Sequence, residues 1–347
     1  MEMDTITQDR LDILSALIDG AREIVVVTHL RPDGDAIGST TALDAYLSLN
    51  LGKKCRTVLS STFSDTLAFL HTEAVEPIRL DLSPTEAEEA IARADLVFCL
   101  DFGGLDRSGG LEDWLRASEA HKILIDHHLH PHLEEFSLVF SDTEVSSACE
   151  LLYGILLRLP DIGGDATKLP MESLTALMTG MTTDTNNFAN SVFPGTLKMA
   201  SELLAAGVDR DAILVHIYDS YRENRLRMMG YLLSEKLVVR ANGLAYMIFT
   251  ADEQSRFDFQ EGETEGFVNI PLAISSVRMS ILLTQDDGYF RVSIRSKKGT
   301  SARNCAAAHF NGGGHEQASG GKLFWPKDIA SPEGAAAYIE ENTAAFL

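Results

Sequence analysis

Three apolar runs in this chain each stop at side chains able to hold a cation. Ile123-Leu124-Ile125 ends in Asp126-His127-His128, and Ile24-Val25-Val26-Val27 runs into Thr28-His29-Leu30-Arg31-Pro32-Asp33-Gly34-Asp35. Leu96-Val97-Phe98-Cys99-Leu100 runs into Asp101-Phe102-Gly103-Gly104, and Asp184 adds a further acid at the end of a helical stretch. A single acid after a strand is often only a helix cap. Three such tips together point to a shared site. Carboxylates gathered in one cleft repel one another unless cations hold them. Carboxylate and imidazole without thiolate favour harder, higher-coordinate ions such as Mn²⁺ or Mg²⁺ over a structural zinc site. The candidate set of His29, Asp33, Asp35, Asp101, Asp126, His127, His128 and Asp184 exceeds the needs of one ion and suggests two ions sharing a bridge. His130 and His132 read as solvated loop residues, while His71, His121, His216 and His309 stand alone.

Parallel strands are the elements that would bring such tips together, because the crevice of an open α/β sheet lies beyond the carboxyl ends of its strands. The pattern supports that reading. Residues 4–20 carry Leu11, Leu14, Leu17 and Ile18 at helical spacing and end in Gly20; residues 36–51 read as a helix stopping near Gly52. Val58 and Leu59 mark a weaker strand, and Ser83-Pro84-Thr85-Glu86 reads as a capping box opening a surface helix. Helices are expected over 144–159 and 169–181, the latter leading into Asp184. Phe193-Pro194-Gly195 is the strongest boundary signal, followed by a charged helical stretch. Beyond it, two apolar pairs flank Asn242-Gly243 and Asp286-Asp287-Gly288, so hairpins and a strand-rich second domain are expected. The boundaries fall at 1–193, a helical connector over 194–236, and 237–347.

Composition narrows the function. With 347 residues the chain has room for two cores. No apolar run is long enough for a bilayer, and the acidic Met1-Glu2-Met3-Asp4 start is unlike a secretory signal, so a cytoplasmic location without membrane contact is expected. The four cysteines form no CxxC pair and read as buried thiols. A net charge of −22 disfavours tracking along long duplexes. Between Ser275 and Asn304, however, six basic residues stand against two acids, enough to hold a small anion. Neither a GxSxG elbow nor a GxxxxGK[ST] loop is present, which removes the motif-based case for acyl transfer and NTP hydrolysis.

The segments His29-to-Asp35, Asp101, Asp126-His127-His128 and Asp184 closely resemble the four motifs of the DHH phosphoesterases. Gly312-Gly313-Gly314-His315, with Arg295 and Asn304 before it, resembles the GGGH motif of the associated DHHA1 domain. The order and length are similar to the oligoribonuclease (nanoRNase) and phosphoadenosine phosphate phosphatase branch. The resemblance implies an α/β protein: a parallel-sheet DHH domain with flanking helices, a smaller strand-rich DHHA1 domain and a cleft between them. It implies that His29, Asp33 and Asp101 hold one metal and that Asp35, Asp101, His127 and Asp184 hold a second, with Asp101 as the bridge. His128 would face the phosphate, Asp126 would orient the histidines, and Arg295, Asn304, Gly312, Gly313, Gly314 and His315 would bind the nucleotide. Two divalent ions, Mn²⁺ first and Mg²⁺ or Co²⁺ as substitutes, would activate water for hydrolysis. The implied substrates are very short RNAs and 3′-phosphoadenosine 5′-phosphate, with no long duplex as partner and with room for a homodimer. Linear or cyclic dinucleotide hydrolysis, a RecJ-like exonuclease and a non-catalytic nucleotide sensor are the rival readings. Asn186-Asn187, after Asp184, departs from the pattern, since the resemblance implies a glycine there.

Overall fold

The computed structural model describes residues 5–347, so the acidic residues 1–4 lie outside the described part of the chain. The chain divides into two compact units between Ser220 and Tyr221.

The first unit is built on six parallel strands: β1 (Glu23–Val27), β2 (Lys54–Leu59), β3 (Ile78–Arg79), β4 (Leu96–Leu100), β5 (His121–Asp126) and β6 (Leu138–Ser141). Their order is β3-β2-β1-β4-β5-β6, so the chain reverses direction across the sheet between β1 and β4. That is the switch point at which such sheets bind ligands. The strands are continuously apolar because both faces are covered. Ile24, Val26, Phe98, Leu100, Ile123 and Ile125 enter one core, and the alternate residues Val25, Val27, Val97, Cys99 and Leu124 enter the other.

Among the described residues eight α-helices surround this sheet: α1 (Gln8–Gly20), α2 (Gly34–Ala45), α3 (Pro84–Arg93), α4 (Glu112–Ala117), α5 (Ala148–Arg158), α6 (Met171–Asp184), α7 (Pro194–Ala205) and α8 (Arg210–Tyr218). Every residue of α2 is buried. Its small residues let it press against α6, where Ser173 Oγ donates to the Ala42 carbonyl at 2.8 Å. The closest approach is at Gly38, where a Cβ would lie 2.6 Å from the Ala176 carbonyl oxygen.

Several boundaries differ from the sequence expectation. Gly20 is the last helical residue and extended Ala21 is the C-cap. Helix α2 ends early and continues as one wider π turn over Tyr46–Asn50 before Gly52 turns the chain at φ 63°. Ser83 precedes Pro84 at the start of α3 but its hydroxyl makes no capping bond, so the capping box is not formed. Helix α5 starts at Ala148, four residues late, because Ser147 caps it by accepting from Glu150 N at 3.0 Å. The Phe193-Pro194-Gly195 signal opens α7, and α7 and α8 bury Met199, Leu203, Ile213 and Ile217 in the first core.

The second unit holds α9 (Glu223–Tyr231), β7 (Val238–Val239), β8 (Leu244–Phe249), α10 (Ala251–Arg256), β9 (Met279–Asp286) and β10 (Tyr289–Ser296). It continues through α11 (Ala302–His309), β11 (Gly313–Gly314), β12 (Ala318–Phe324) and α12 (Ala335–Thr343). The sheet order is β11-β12-β10-β9-β8-β7, mixed because β8 and β9 run parallel. Both expected hairpins form, with Gly243 and Gly288 at φ 96° and 77°, values that favour glycine. β10 alternates buried Phe290, Val292 and Ile294 with partly exposed neighbours, as a half-covered strand should.

The four cysteines are buried free thiols. Among the described residues no helix is long and apolar enough to cross a membrane.

Candidate metal centre

The tips of β1, β4 and β5 deliver their polar residues to the carboxyl edge of the sheet. His29 follows β1; Asp33 caps α2, its Oδ1 accepting from Asp35 N at 3.0 Å and Ala36 N at 3.1 Å. Capping and ligation are compatible here, since a carboxylate has a second oxygen. Asp101 follows β4 in the left-handed region at φ 63°, an uncommon conformation for a residue other than glycine. Its N–H donates to Ile125 O at 3.0 Å, which fixes its place beside β5.

Ligand atoms of His29, Asp33 and Asp101 lie within 4.8 Å of one another, as do those of Asp35, Asp101 and His127, and those of Asp101, Asp126 and His128. Asp101 is common to all three groups. Asp184, the last residue of α6, brings Oδ2 to 3.7 Å from His127 Nε2. Asp126 Oδ1 stands 2.8 Å from His128 Nδ1. An ionised Asp126 can only accept, so that nitrogen carries the proton and Nε2 is the ring nitrogen left for another partner. Asp35, fully buried, accepts from Ala148 N at 2.6 Å through Oδ2 and from Cys149 N at 3.0 Å through Oδ1. The N-terminus of α5 therefore orients one acid of the cluster and offsets its charge. This support was not foreseen from the sequence; the Ser146-Ser147 pair ahead of an apolar helix was its only signal.

The electrostatics are those of an anionic site seeking positive charge. Burial works against ionised Asp101, but His127 and His29 beside it, with the charge of His128, hold its carboxyl well below the usual range. Burial and then the charges of Asp101 and Asp184 push Asp35 well above it. Burial would lower His29, yet the Asp101 contact and the charges of Asp33 and Asp101 prevail and raise it to about 9. His127 is likewise raised by Asp101, Asp184 and Asp35 against the effect of its burial. Asp184 keeps 30% of its side chain exposed at the rim. Even so, burial of its carboxyl is the largest influence; His127 opposes it, the charges of Asp33 and Asp101 add to it, and the group is raised to about 7.

The donor set fits a divalent cation. Asp101 Oδ1 is 3.3 Å from His127 Nε2 and 3.7 Å from His128 Nδ1, yet accepts no hydrogen bond. A buried carboxylate oxygen without a donor is costly. Buried carboxylate oxygens and imidazole nitrogens that converge this closely are what a hard cation satisfies, in place of the protons that the raised imidazoles hold without it.

In the second unit the glycine run is more ordered than a bare loop. Gly313 and Gly314 form β11 against Gly320 and Ser319, and the Gly312 N–H is donated to Ala306 O at 3.3 Å. A Cβ at Gly312 would lie 1.9 Å from Gly320 O, so close backbone packing alone requires glycine there. Of the expected run of free N–H groups, the Gly312 one is therefore engaged. His315 N donates to Ala318 O, and Ser319 Oγ donates to His315 O, both at 2.8 Å. Arg295 Nη1 donates to Ile294 O at 3.0 Å, and Asn304 is exposed on α11. Most of the local basic cluster is structurally committed. Arg291 pairs with Glu261, and Arg278 and Lys297 donate to backbone carbonyls. Among the described residues the Lys298 and Arg303 side chains make no hydrogen bond or ion pair.

Comparison with known proteins agrees with this geometry. Residues 23–181 match the DHH family, N-terminal domain, and residues 242–330 match the DHHA1 domain. The bifunctional oligoribonuclease and PAP phosphatase NrnA of Bacillus subtilis is 28% identical over 306 residues, covering 87% of this chain and 89% of that protein. The protein of the same name from Thermus thermophilus is 29% identical over 308 residues, covering 86% and 84%. The crystal structure of an exopolyphosphatase-related protein from Bacteroides fragilis superposes with a TM-score of 0.89 at 34% identity, covering 99% of this chain and 98% of that one.

Proposed function

Since the chain belongs to the DHH family of phosphoesterases, we propose that it hydrolyses very short oligoribonucleotides to mononucleotides and 3′-phosphoadenosine 5′-phosphate to AMP. The observation that carries the reading is the convergence of three ligand groups on one buried, left-handed acid, Asp101. The choice of substrate is supported by the names of the Bacillus and Thermus relatives.

His29, Asp33 and Asp101 would hold one ion, and Asp35, Asp101, His127 and Asp184 a second. When bound, divalent ions in such a set lower the pKa of water and neutralise charge on phosphoryl oxygens. The chain's own residues do the rest. The α5 N-terminus aims Asp35 and offsets part of its charge, while burial and the neighbouring acids still favour its protonated form until a cation takes the proton's place. Asp126 holds the His128 ring through Nδ1, and in the charged form of that ring Nε2–H would donate to the phosphate. His315, Arg295, Asn304 and the Gly312-to-Gly314 backbone grip the nucleotide, with Lys298 and Arg303 as uncommitted cations close by in sequence. Residues 1–193 would thus carry the chemistry and 237–347 the recognition, joined by 194–236. The proposal includes Mn²⁺ as the working ion, a cytoplasmic setting and room for a homodimer.

A substrate panel tests the reading. Diribonucleotides, longer RNAs, 3′-phosphoadenosine 5′-phosphate and cyclic dinucleotides should be assayed with Mn²⁺ and again after chelation. Mn²⁺-dependent release of mononucleotides from dinucleotides and of AMP from 3′-phosphoadenosine 5′-phosphate is expected. Preferential cleavage of cyclic dinucleotides would replace this reading with the rival.

A further inference from the structure

Immediately after Asp184 the backbone enters a conformation that its residues do not favour. Asn186, Asn187 and Phe188 stand consecutively at φ 47°, 55° and 66°, and Ser191 follows at 51°. Asparagine tolerates the left-handed region through local hydrogen bonds, but an aromatic residue there is an outlier. The turn closes the end of α6. Thr185 N donates to Met181 O at 3.1 Å and Asn187 N to Thr182 O at 2.8 Å, satisfying carbonyls that a helix end leaves open. Phe188 N is taken by Thr185 Oγ1 at 3.0 Å. Such strain persists only where surrounding structure over-determines it.

One side chain from outside the turn supplies that constraint. Arg210, the first residue of α8, donates through Nη2 to Asn187 Oδ1 at 2.5 Å and places its guanidinium 5.7 Å from the centre of the Phe188 ring. Helix α8 is itself anchored in the core by Ile213 and Ile217. Arg210 therefore ties the second and third left-handed residues to a rigid element. We propose that Arg210 is a positioning residue for Asp184: it holds the strained turn closed, and the closed turn keeps the last residue of α6, with its carboxylate, facing His127. This rests on the reading of Asp184 as a metal ligand. A residue acting by pinning an unfavourable backbone becomes dispensable once the backbone ceases to be unfavourable. Glycine takes left-handed φ without steric cost.

The test compares Mn²⁺ affinity, read from the electron paramagnetic resonance signal of free Mn²⁺, in four full-length proteins. These are the wild type, Arg210→Ala, the double variant Asn187→Gly/Phe188→Gly, and the triple combination. Loss of one charge-assisted bond predicts an apparent Kd for Mn²⁺ raised about tenfold in Arg210→Ala. The glycine pair, although it lacks the Asn187 amide and the Phe188 ring, should bind as wild type, and adding Arg210→Ala to it should cost less than about twofold. At saturating Mn²⁺ the KM and kcat of Arg210→Ala should return to wild-type values. A lowered Tm with unchanged Mn²⁺ affinity, an equal loss in the glycine background, or a KM defect that persists at saturating Mn²⁺ would each overturn the proposal. Absence of Mn²⁺ binding by the wild type would instead remove the metal-site reading beneath it.

Discussion

Gly38→Ala tests whether the packing of α2 against α6 sets the geometry of the cluster. A methyl group there would sit 2.6 Å from Ala176 O and 3.0 Å from the Gly180 backbone, where ordinary contact begins at 3.4 Å. All of these obstacles are backbone, so the helices must part by about 0.8 Å. Overpacking of that kind costs about 1–3 kcal/mol, while alanine regains about 1 kcal/mol of helix propensity over glycine, leaving a net loss of about 0–2 kcal/mol. In a unit of this size the Tm should fall by no more than about 8 °C. The effect on activity should be larger. Helix α2 carries Asp35 and α6 carries Asp184, and metal–ligand distances tolerate only about 0.2 Å. A displacement approaching 1 Å predicts about a 100-fold loss in kcat/KM and weaker Mn²⁺ binding. Calorimetry gives the first quantity, and initial rates on a diribonucleotide across a Mn²⁺ titration give the second. A folded Gly38→Ala protein with kcat/KM within about threefold of wild type would refute the argument that this contact sets the ligand geometry.

Other perturbations probe the remaining parts. Asp101→Ala should abolish turnover and lower the bound metal measured by mass spectrometry, because Asp101 is shared by the three carboxylate-containing ligand groups; near wild-type hydrolysis would sink the bridge assignment. His315→Ala should impair nucleotide substrates far more than bis-p-nitrophenyl phosphate in parallel rate measurements, and equal losses would count against a recognition role. The metal-free protein should lose stability as pH rises. The raised Asp184 carboxyl withdraws stability between 3.8 and about 7, and the raised His29 contributes fully below 6.5 and is lost as pH passes about 9. Cations replace those protons, so the Mn²⁺-induced rise in Tm should widen between pH 5 and pH 8.5 in thermal scans, and a constant increment would contradict the sign.

The strand tips were legible because type and position coincide: a doubly covered strand must be apolar throughout, so the residue that ends it announces the sheet edge. The Asn-Gly and Asp-Gly hairpins were legible for a similar local reason, their turns requiring left-handed residues. What the sequence concealed is tertiary. Strands β3 and β6 are too short for a periodic signal, and they pair only because longer neighbours present open edges. The α5 N–H groups that hold Asp35 lie more than a hundred residues from it, and backbone donors have no sequence signature. The basic cluster before Gly312 misled by count, since most of its cations hold carbonyls or an acid. Asn186-Asn187 signalled a departure, but its consequence depends on Arg210, which arrives from another helix.

The most direct test of the central claim is the dependence of Mn²⁺-supported kcat/KM on RNA length, from two to about twenty-four nucleotides at fixed salt. A long strand needs an extended run of cations and stacking aromatics. Among the described residues this basic segment leaves Lys298 and Arg303 without partners, on a chain of net charge −22. Efficiency should peak at about two to four nucleotides and decline beyond, as expected for a site that grips one end of a short strand. Efficiency that climbs steadily with length would contradict the account and favour a processive single-strand exonuclease.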